Sequence, residues 1–195
     1  MYKTDILIIG AGPVGLTLAI DLGKRGINCT IIEQKEAPHF LPKMERCNAR
    51  TMEIYRRMGL ADKIRKAGLP SHIPMDVFII LTLDRPPLSH FPHPSVDKAK
   101  SEIRNCQDGT LPLEPYQLIS QYTLEPLLKL EAEELPSVTV LYGCTFDALN
   151  QHSNHITASV SRTSGKVEKI DCTYLVGCDG AGSSVRKDIG IKQAL

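Results

Sequence analysis

The sequence predicts an α/β fold around a parallel sheet, and three observations point to it. An uninterrupted apolar run at residues 6–9, Ile-Leu-Ile-Ile, is typical of a strand buried on both faces. A glycine-rich turn and a helix-like run to Gly26 follow, and a second apolar strand ends at Glu33. Several short strands come later, the last of them apolar. This order predicts the βαβ unit of a Rossmann-like fold, with an added β-meander.

Composition is that of an ordinary globular protein and excludes several classes of function. The 195 residues are 42% hydrophobic and 23% charged, with a formal net charge of +1. Without a basic tract, this balance predicts no nucleic-acid partner. No apolar run approaches the ~20 residues that cross a bilayer, and no signal-peptide pattern is present. We therefore expect neither a membrane partner nor secretion.

Cysteines and histidines do not form a metal-binding pattern. The six cysteines are scattered without a CxxC pair, which favours a reduced, cytoplasmic protein without a metal site. The histidines show no ligand spacing either; they are His39, His72, His90, His93, His152 and His155. No Ser-His-Asp or paired-carboxylate constellation is visible, so no side chain is expected to act as a catalytic acid, base or nucleophile.

The first strand ends in the motif Gly10-x-Gly12-x-x-Gly15. Gly10 permits a tight turn, Gly12 lets the backbone approach a pyrophosphate, and Gly15 lets helix and strand pack closely. The N–H groups that open the next helix favour phosphate. Glu33 ends the following strand, where a carboxylate can accept hydrogen bonds from an adenosine ribose. The motif therefore predicts a dinucleotide site. Because Glu33 would repel a 2′-phosphate, the expected ligand is NAD or FAD rather than NADP.

Signals for regular structure are weaker between residues 34 and 116. A polar loop at residues 34–43 leads into a helix at residues 48–60, which Gly59 ends, and a second helix is predicted at residues 61–67. Residues 75–83 resemble a strand. Prolines predict irregular structure at residues 84–113, apart from a brief helix at residues 95–104. So long an irregular segment is more often a functional loop or an insertion.

The last part of the chain predicts one long helix followed by strands. The helix covers residues 116–135, with Pro126 in its first turn and Thr123 as its N-cap, because proline is not tolerated in a helix interior. Strands are predicted at residues 138–142, 145–151, 155–161, 167–171 and 174–178, with a hairpin turn at Ser164-Gly165.

Asp179-Gly180 directly follows the last predicted strand and has two interpretations. It lies at the carboxyl end of the sheet, where open α/β sheets bind ligands. Alternatively, it is an Asx-Gly turn that caps a helix beginning near Ser183. Local features favour neither interpretation.

Three motifs occur in a characteristic order. The first is the glycine-rich turn through Glu33, in which Ala19 and Gly26 complete the spacing GxGxxG-x3-A-x6-G. The second is Asn-Ala-Arg-Thr-Met-Glu at residues 48–53, and the third is the segment of residues 174–186. Residues 120–128 form a fourth segment, which is similar to a helix of the same family. Together they resemble the class A flavoprotein monooxygenases, the family of para-hydroxybenzoate hydroxylase and the phenol hydroxylases, over nearly the whole chain.

The resemblance implies FAD as the cofactor. Lys43 falls where the family usually has an arginine close to FAD, Gln121 matches a glutamine at the flavin, and Asp179 belongs to a motif that binds both FAD and NAD(P)H. The implied cofactor-binding residues are Gly10, Gly12, Pro13, Gly15, Glu33, Gln34, Lys43, Gln121, Asp179 and Gly180. The family uses NAD(P)H as a transient reductant and molecular oxygen to hydroxylate a small aromatic substrate.

The resemblance also implies a domain division. Residues 1–72 and 117–195 are expected to form an incomplete FAD-binding fold, and residues 73–116 part of a substrate-domain sheet. Because the family's later motifs should lie beyond Leu195, these residues alone are expected to be inactive. Three alternatives stay open: a halogenase or reductase of the same fold, a non-catalytic nucleotide-binding remnant, and, last, an NAD dehydrogenase.

Overall fold

The structure is a computed structural model that describes residues 2–38, 40 and 43–192. His39, the end of the predicted polar loop before Lys43, and Leu195 lie outside the described residues. The chain forms two compact units, which we call the sheet unit (Met1–Leu41 with Glu125–Leu195) and the middle unit (Pro42–Leu124). The assignment of cofactor and substrate domains stays a prediction, because compactness gives neither unit a function.

The described residues include ten strands and six helices. The strands are β1 (Tyr2–Ile9), β2 (Cys29–Glu33), β3 (Arg46–Cys47), β4 (Val77–Ile79), β5 (Ser89–Phe91), β6 (Gln117–Leu118), β7 (Val138–Tyr142), β8 (Cys144–Gln151), β9 (Ile156–Arg162) and β10 (Val167–Gly177). The helices are α1 (Pro13–Lys24), α2 (Ala49–Arg57), α3 (Ala61–Ala67), α4 (Val96–Asn105), α5 (Gln121–Glu133) and α6 (Ser184–Asp188). None of these six helices in the described residues is long and apolar enough to cross a lipid bilayer.

The sheet unit contains a six-stranded sheet in the order β7-β2-β1-β10-β9-β8. Strands β7, β2, β1 and β10 are parallel, whereas β10, β9 and β8 form an antiparallel meander. The predicted α/β fold with a parallel sheet and a β-meander is therefore confirmed. The parallel strands end at one edge of the sheet, where their connections to the following elements lie.

Apolar side chains fill both faces of the parallel strands. On one face Leu16 and Ile20 of α1 are fully buried. On the other face Leu7 and Ile32 pack in a cluster with Phe146 and other side chains of the meander. Each such burial contributes about 1.5–3 kcal/mol. This packing fixes the strand ends on which the candidate site is built.

Strand β10 corrects one prediction. Two strands were predicted, at residues 167–171 and 174–178, but the structure has one strand from Val167 to Gly177. Its first half is antiparallel to β9 through Cys172, and its register with β1 continues from Ile170 to Gly177. The polar residue Asp171 does not interrupt the strand, because its carboxylate accepts a hydrogen bond from the buried Thr157 hydroxyl at 2.8 Å.

The start of α5 corrects a second prediction. Residues 117–118, predicted to be helical, form β6 and pair with β3, so the helix begins only at Gln121. The Leu124 N–H donates to the Ser120 carbonyl, which places Thr123 inside the first turn rather than at the N-cap. Pro126 lies within the helix, where it cannot donate to the carbonyl four residues before it. The pairing with β3 is a long-range contact that local residue preferences do not show.

The middle unit has its helices where the sequence predicts them. The Asn48 side chain caps α2 by accepting from the Thr51 N–H at 2.8 Å, and Ser95 caps α4 in the same way. The predicted strand at residues 75–83 is reduced to the three residues of β4. It pairs with β5, which lies in a segment that was predicted to be irregular apart from a helix.

A buried ion pair holds the end of the connection between α4 and β6 in the middle unit. The Arg65 guanidinium lies 2.7 Å from a carboxylate oxygen of Glu114, and both side chains are about one-tenth exposed. Arg65 also donates to the Gln117 side chain at 3.1 Å and to the Pro115 carbonyl at 2.9 Å. These bonds hold residues 114–117 against α3.

Candidate dinucleotide site

The turn after β1 packs closely against the turn after β10. Gly10 has a φ of +102°, and a Cβ at this position would lie 2.6 Å from the Cys178 carbonyl oxygen. The Gly10 N–H donates to the Ile32 carbonyl at 2.8 Å, and the Cys178 N–H donates to the Ile9 carbonyl at 2.7 Å. Only glycine has both the conformational freedom and the small size that this position requires.

The other two glycines of the motif differ in what surrounds them. A Cβ at Gly15 would collide with the Gly10 carbonyl oxygen and lie 3.2 Å from Ile31, so Gly15 allows α1 to pack on the sheet. A Cβ at Gly12 would meet only one described atom within 4 Å, a carboxylate oxygen of Glu125 at 3.9 Å. The backbone at Gly12 therefore borders open space at the N-terminus of α1, which Pro13 begins. This arrangement fits a phosphate group.

Glu33 is held in place by two backbone donors. Its Oε2 atom accepts from the Ala11 N–H at 3.0 Å, and its Oε1 atom accepts from the Lys35 N–H at 3.1 Å. The side chain is half-buried, and Gln34 beside it is exposed. Since each carboxylate oxygen can accept more than one hydrogen bond, Glu33 keeps the capacity to accept from a ribose hydroxyl.

The structure confirms the capping interpretation of Asp179, whereas the ligand-binding interpretation stays a prediction. Its Oδ2 atom caps α6, accepting from the Ser184 N–H at 2.6 Å and the Val185 N–H at 3.2 Å. Its Oδ1 atom is buried and has no hydrogen-bond partner in the described part of the chain. Gly180 follows with a φ of +80°, and a Cβ there would meet no described atom within 4 Å. One oxygen of Asp179 therefore caps α6, and the other is left without a partner among the described residues.

Lys43 and Gln121 lie together in the middle unit. The Lys43 N–H donates to the side-chain oxygen of Gln121 at 3.0 Å, and the Gln121 N–H donates to the Met44 carbonyl at 3.1 Å. Gln121 is buried. The remaining predicted residues, from Gly10 to Gln34 and Asp179-Gly180, all belong to the sheet unit.

Two residues near the glycine-rich turn were not identified from the sequence. Glu125, on α5, is only 5% exposed and lies beside Gly12. Tyr142 ends β7 directly opposite Glu33, and its hydroxyl is buried. Burial raises the pKa of Tyr142, and the nearby Glu33, Glu125 and Glu133 carboxylates raise it further. The order of the strands would have revealed Tyr142, because β7 and β2 end at the same edge of the sheet.

The middle unit has a cavity of about 290 Å³ that is partly open to solvent. Its wall is largely apolar, and Arg46, His93 and Glu102 are its charged or titratable members. The other lining residues are Ala49, Met75, Pro94, Ala99, Ile103, Leu111, Pro112, Pro115, Tyr116 and Leu118. Within residues 2–38, 40 and 43–192, no group of three His, Cys, Asp or Glu side chains is arranged to hold a metal ion.

The sheet unit therefore presents three groups that are chemically compatible with a dinucleotide. Gly12 leaves open space at a helix N-terminus, Glu33 presents an oriented carboxylate, and Asp179 has an unpaired buried oxygen among the described residues. A phosphate fits the first, a sugar hydroxyl fits the second, and a hydrogen-bond donor fits the third.

Comparison with known proteins gives the same result. Residues 3–194 match the family described as FAD binding domain. The chain is 36% identical over 190 residues to the FAD-dependent monooxygenase apdD of Emericella nidulans, covering 95% of this chain and 30% of that protein. It is 30% identical to the 3-hydroxybenzoate 4-monooxygenase of Comamonas testosteroni, covering 96% of this chain and 29% of that protein.

Solved structures show the same fold. The flavin-dependent monooxygenase PieE, solved with FAD and substrate, superposes with a TM-score of 0.84 and 26% identity over 96% of this chain and 32% of PieE. The rebeccamycin biosynthetic enzyme RebC, with reduced flavin, gives 0.81 and 30% over 97% of this chain and 35% of RebC. The chain spans about a third of the length of these relatives. It belongs to the FAD-binding domain family, as its resemblance to the class A flavoprotein monooxygenases predicted.

Proposed function

We propose that the chain is the FAD-binding part of a flavoprotein that uses NAD(P)H and molecular oxygen to hydroxylate a small aromatic substrate. Membership of the FAD-binding domain family and the similarity to a 3-hydroxybenzoate 4-monooxygenase support this proposal. Because the chain spans about a third of its relatives, we assign it the cofactor-holding share of the activity and expect no hydroxylation by these residues alone.

The residues of the sheet unit would hold the adenosine and phosphate parts of FAD. Gly10, Gly12, Pro13 and Gly15 would form the pyrophosphate cradle, where the dipole and N–H groups of α1 favour negative charge. Glu33, with Gln34 beside it, would accept from the ribose.

Four further residues complete the proposed set. They are Lys43, Gln121, Asp179 and Gly180. The Oδ1 atom of Asp179, unpaired among the described residues, supports its assignment, because a buried carboxylate oxygen is stabilised by a donor from a ligand. When bound, FAD supplies the redox chemistry, and the protein supplies position and electrostatics.

The cavity of the middle unit would receive the aromatic substrate. Its volume of about 290 Å³ is at the lower end of the range for ligand sites, which favours a single ring over a polycyclic molecule. The apolar wall suits the ring, and Arg46 or His93 could bind a polar or acidic substituent.

A cytoplasmic location also belongs to the proposal. All six cysteines are unpaired, and four of them are buried. Free buried thiols are typical of proteins kept in a reducing compartment.

The open space beside Gly12 is the observation that carries the proposal, and Gly12→Ala tests it. Gly12 has an ordinary φ of −75°, and the added methyl meets no described atom nearer than 3.9 Å, so the fold should be kept, with only the small loss of stability that alanine causes at an N-cap. The methyl would nevertheless occupy the cradle. We expect FAD affinity, measured by flavin fluorescence, to fall about tenfold or more, which corresponds to ~1.4 kcal/mol.

Gly182→Ala is the matched control, because a methyl there also meets no described atom within 4 Å and no positive φ is required. It should bind FAD like the parent chain. Titrations with NAD and NADP complete the test. Preference of the parent chain for NAD over FAD, or unchanged FAD affinity in Gly12→Ala, would contradict the proposal.

A further inference from the structure

The hydroxyl of Tyr142 is buried and has no hydrogen-bond partner in the described part of the chain. Buried polar groups in native proteins nearly always have a partner, so an exception of this kind needs an explanation. The phenol is not simply enclosed in an apolar core, because three carboxylates are near enough to raise its pKa and the Lys129 ammonium lies over its ring. A ligand that enters this region could supply the missing partner.

The position of Tyr142 shows which ligand group it would reach. Tyr142 is the register partner of Glu33 in the parallel pair of β2 and β7, so both side chains leave the same face of the sheet at its carboxyl edge. Val138 lies four residues earlier and on the same face, and its side chain is packed so closely against Gly23 of α1 that a Cβ at Gly23 would collide with it. The Tyr142 side chain therefore lies on the face of the sheet that α1 covers, and α1 carries Gly12 at its N-terminus.

Helix α5 covers the phenol ring. Glu125, Lys129 and Glu133 are spaced by four residues and so share one side of the helix. The Lys129 ammonium lies 5.6 Å from the centre of the Tyr142 ring and 2.6 Å from Glu133. Burial, and after it the carboxylates of Glu33, Glu125 and Glu133, raise the pKa of Tyr142, so its hydroxyl keeps its proton at neutral pH and can act as a donor.

We propose that the Tyr142 hydroxyl donates a hydrogen bond to the same ribose hydroxyl that donates to Glu33. The two side chains are chemically complementary toward such a group: the carboxylate only accepts, whereas the phenol can donate. A ribose hydroxyl does both at once. The inference rests on the proposed function, because it requires a dinucleotide with its ribose at Glu33.

Tyr142→Phe tests the inference in calorimetric titrations of the 195-residue chain with FAD, ADP, 2′-deoxy-ADP, 3′-deoxy-ADP and inorganic pyrophosphate. Loss of one hydrogen bond should weaken FAD and ADP binding by about three- to tenfold. Pyrophosphate affinity should be unchanged. The effect should disappear for one of the two deoxy analogues, which already lacks the hydroxyl that Tyr142 contacts. Tyr174→Phe, on an exposed strand position, is the control and should change nothing.

Thermal unfolding of the ligand-free protein separates this role from a structural one. Removing an unpartnered buried hydroxyl should leave the midpoint unchanged or raise it. A lowered midpoint together with equally weakened binding of every ligand would assign Tyr142 a structural role and overturn the inference. So would unchanged ADP affinity. If the parent chain binds neither FAD nor ADP, the proposed function fails as well, whereas normal binding that ignores Tyr142→Phe overturns the inference alone.

Discussion

The two units of the molecule are stabilised in different ways. The sheet unit has six paired strands with apolar side chains packed on both faces of its parallel part. Among its described residues, the middle unit has only two short ladders, of two and three residue pairs, and relies on buried apolar side chains of its helices and on polar side chains that connect distant segments. Backbone pairing spreads stability over many residues, whereas each buried polar bond of the middle unit concentrates a larger share at one residue. Single substitutions should therefore have their largest effects at different kinds of residue in the two units.

The largest effect is expected in the middle unit, at Arg65. Arg65→Met leaves the Glu114 carboxylate buried, and Arg56, 3.6 Å away, is then its remaining charged partner among the described residues. Removing one member of a buried pair costs about 3–5 kcal/mol. Urea denaturation should show this loss, and hydrogen exchange should localise it to residues 43–124.

Arg25→Met in the sheet unit is the control, because the Arg25–Asp21 pair is exposed and surface pairs of this kind contribute little to stability. Arg65→Met with Glu114→Gln should recover part of the loss, since no unpaired charge is left. Equal effects of the Arg65 and Arg25 substitutions would remove the proposed difference between the units.

A smaller effect is expected in the sheet unit, at its glycines. Gly10 and Gly180 both have positive φ, but a Cβ at Gly10 would lie 2.6 Å from a backbone oxygen, whereas one at Gly180 would meet no described atom within 4 Å. Gly180→Ala should therefore cost only the backbone strain, about 1–2 kcal/mol. Gly10→Ala should cost about 2–3 kcal/mol, because the turns after β1 and β10 must also separate. Thermal unfolding of the two variants measures the difference, and equal costs would show that the contact relaxes freely.

The third effect concerns alkaline pH. Burial raises the pKa of the Cys29 and Cys172 thiols in the sheet unit, and of Cys47 in the middle unit, to about 11. A group with a raised folded-state pKa stabilises fully below its unfolded value and loses that contribution as pH rises through the folded value. The free energy of unfolding should thus fall between about pH 9 and 11, by about 2 kcal/mol per thiol at pH 11.

Alanine variants assign this loss to the two units. Cys29→Ala and Cys172→Ala should each flatten the pH dependence of the sheet unit, and Cys47→Ala that of the middle unit. Denaturation curves at pH 8 and pH 11 measure the change. A pH dependence that survives all three substitutions would show that other groups cause it.

The difference between local and long-range contacts also explains which features could be predicted from the sequence. The βαβ unit, the glycine-rich turn and the Asn48 cap follow from signals within a few residues, and the membership of the FAD-binding domain family followed from their order. Strand β6 and the bonds of Arg65 depend on residues about fifty or more positions apart in sequence, and no local preference indicates them. In the candidate site, Tyr142 escaped notice because its position depends on which strand neighbours β2.

Strand β10 has a consequence for the newly made chain. Ile6 of β1 is paired with Tyr174 of β10, so one side of β1 finds its partner only after about 170 further residues have been translated. At about 5–20 residues per second, the apolar strand waits roughly ten to thirty seconds on the ribosome. During that time β1 can pair only with β2, which lies on the side of β1 away from β10. Early encounters with chaperones should therefore concentrate on residues 6–9.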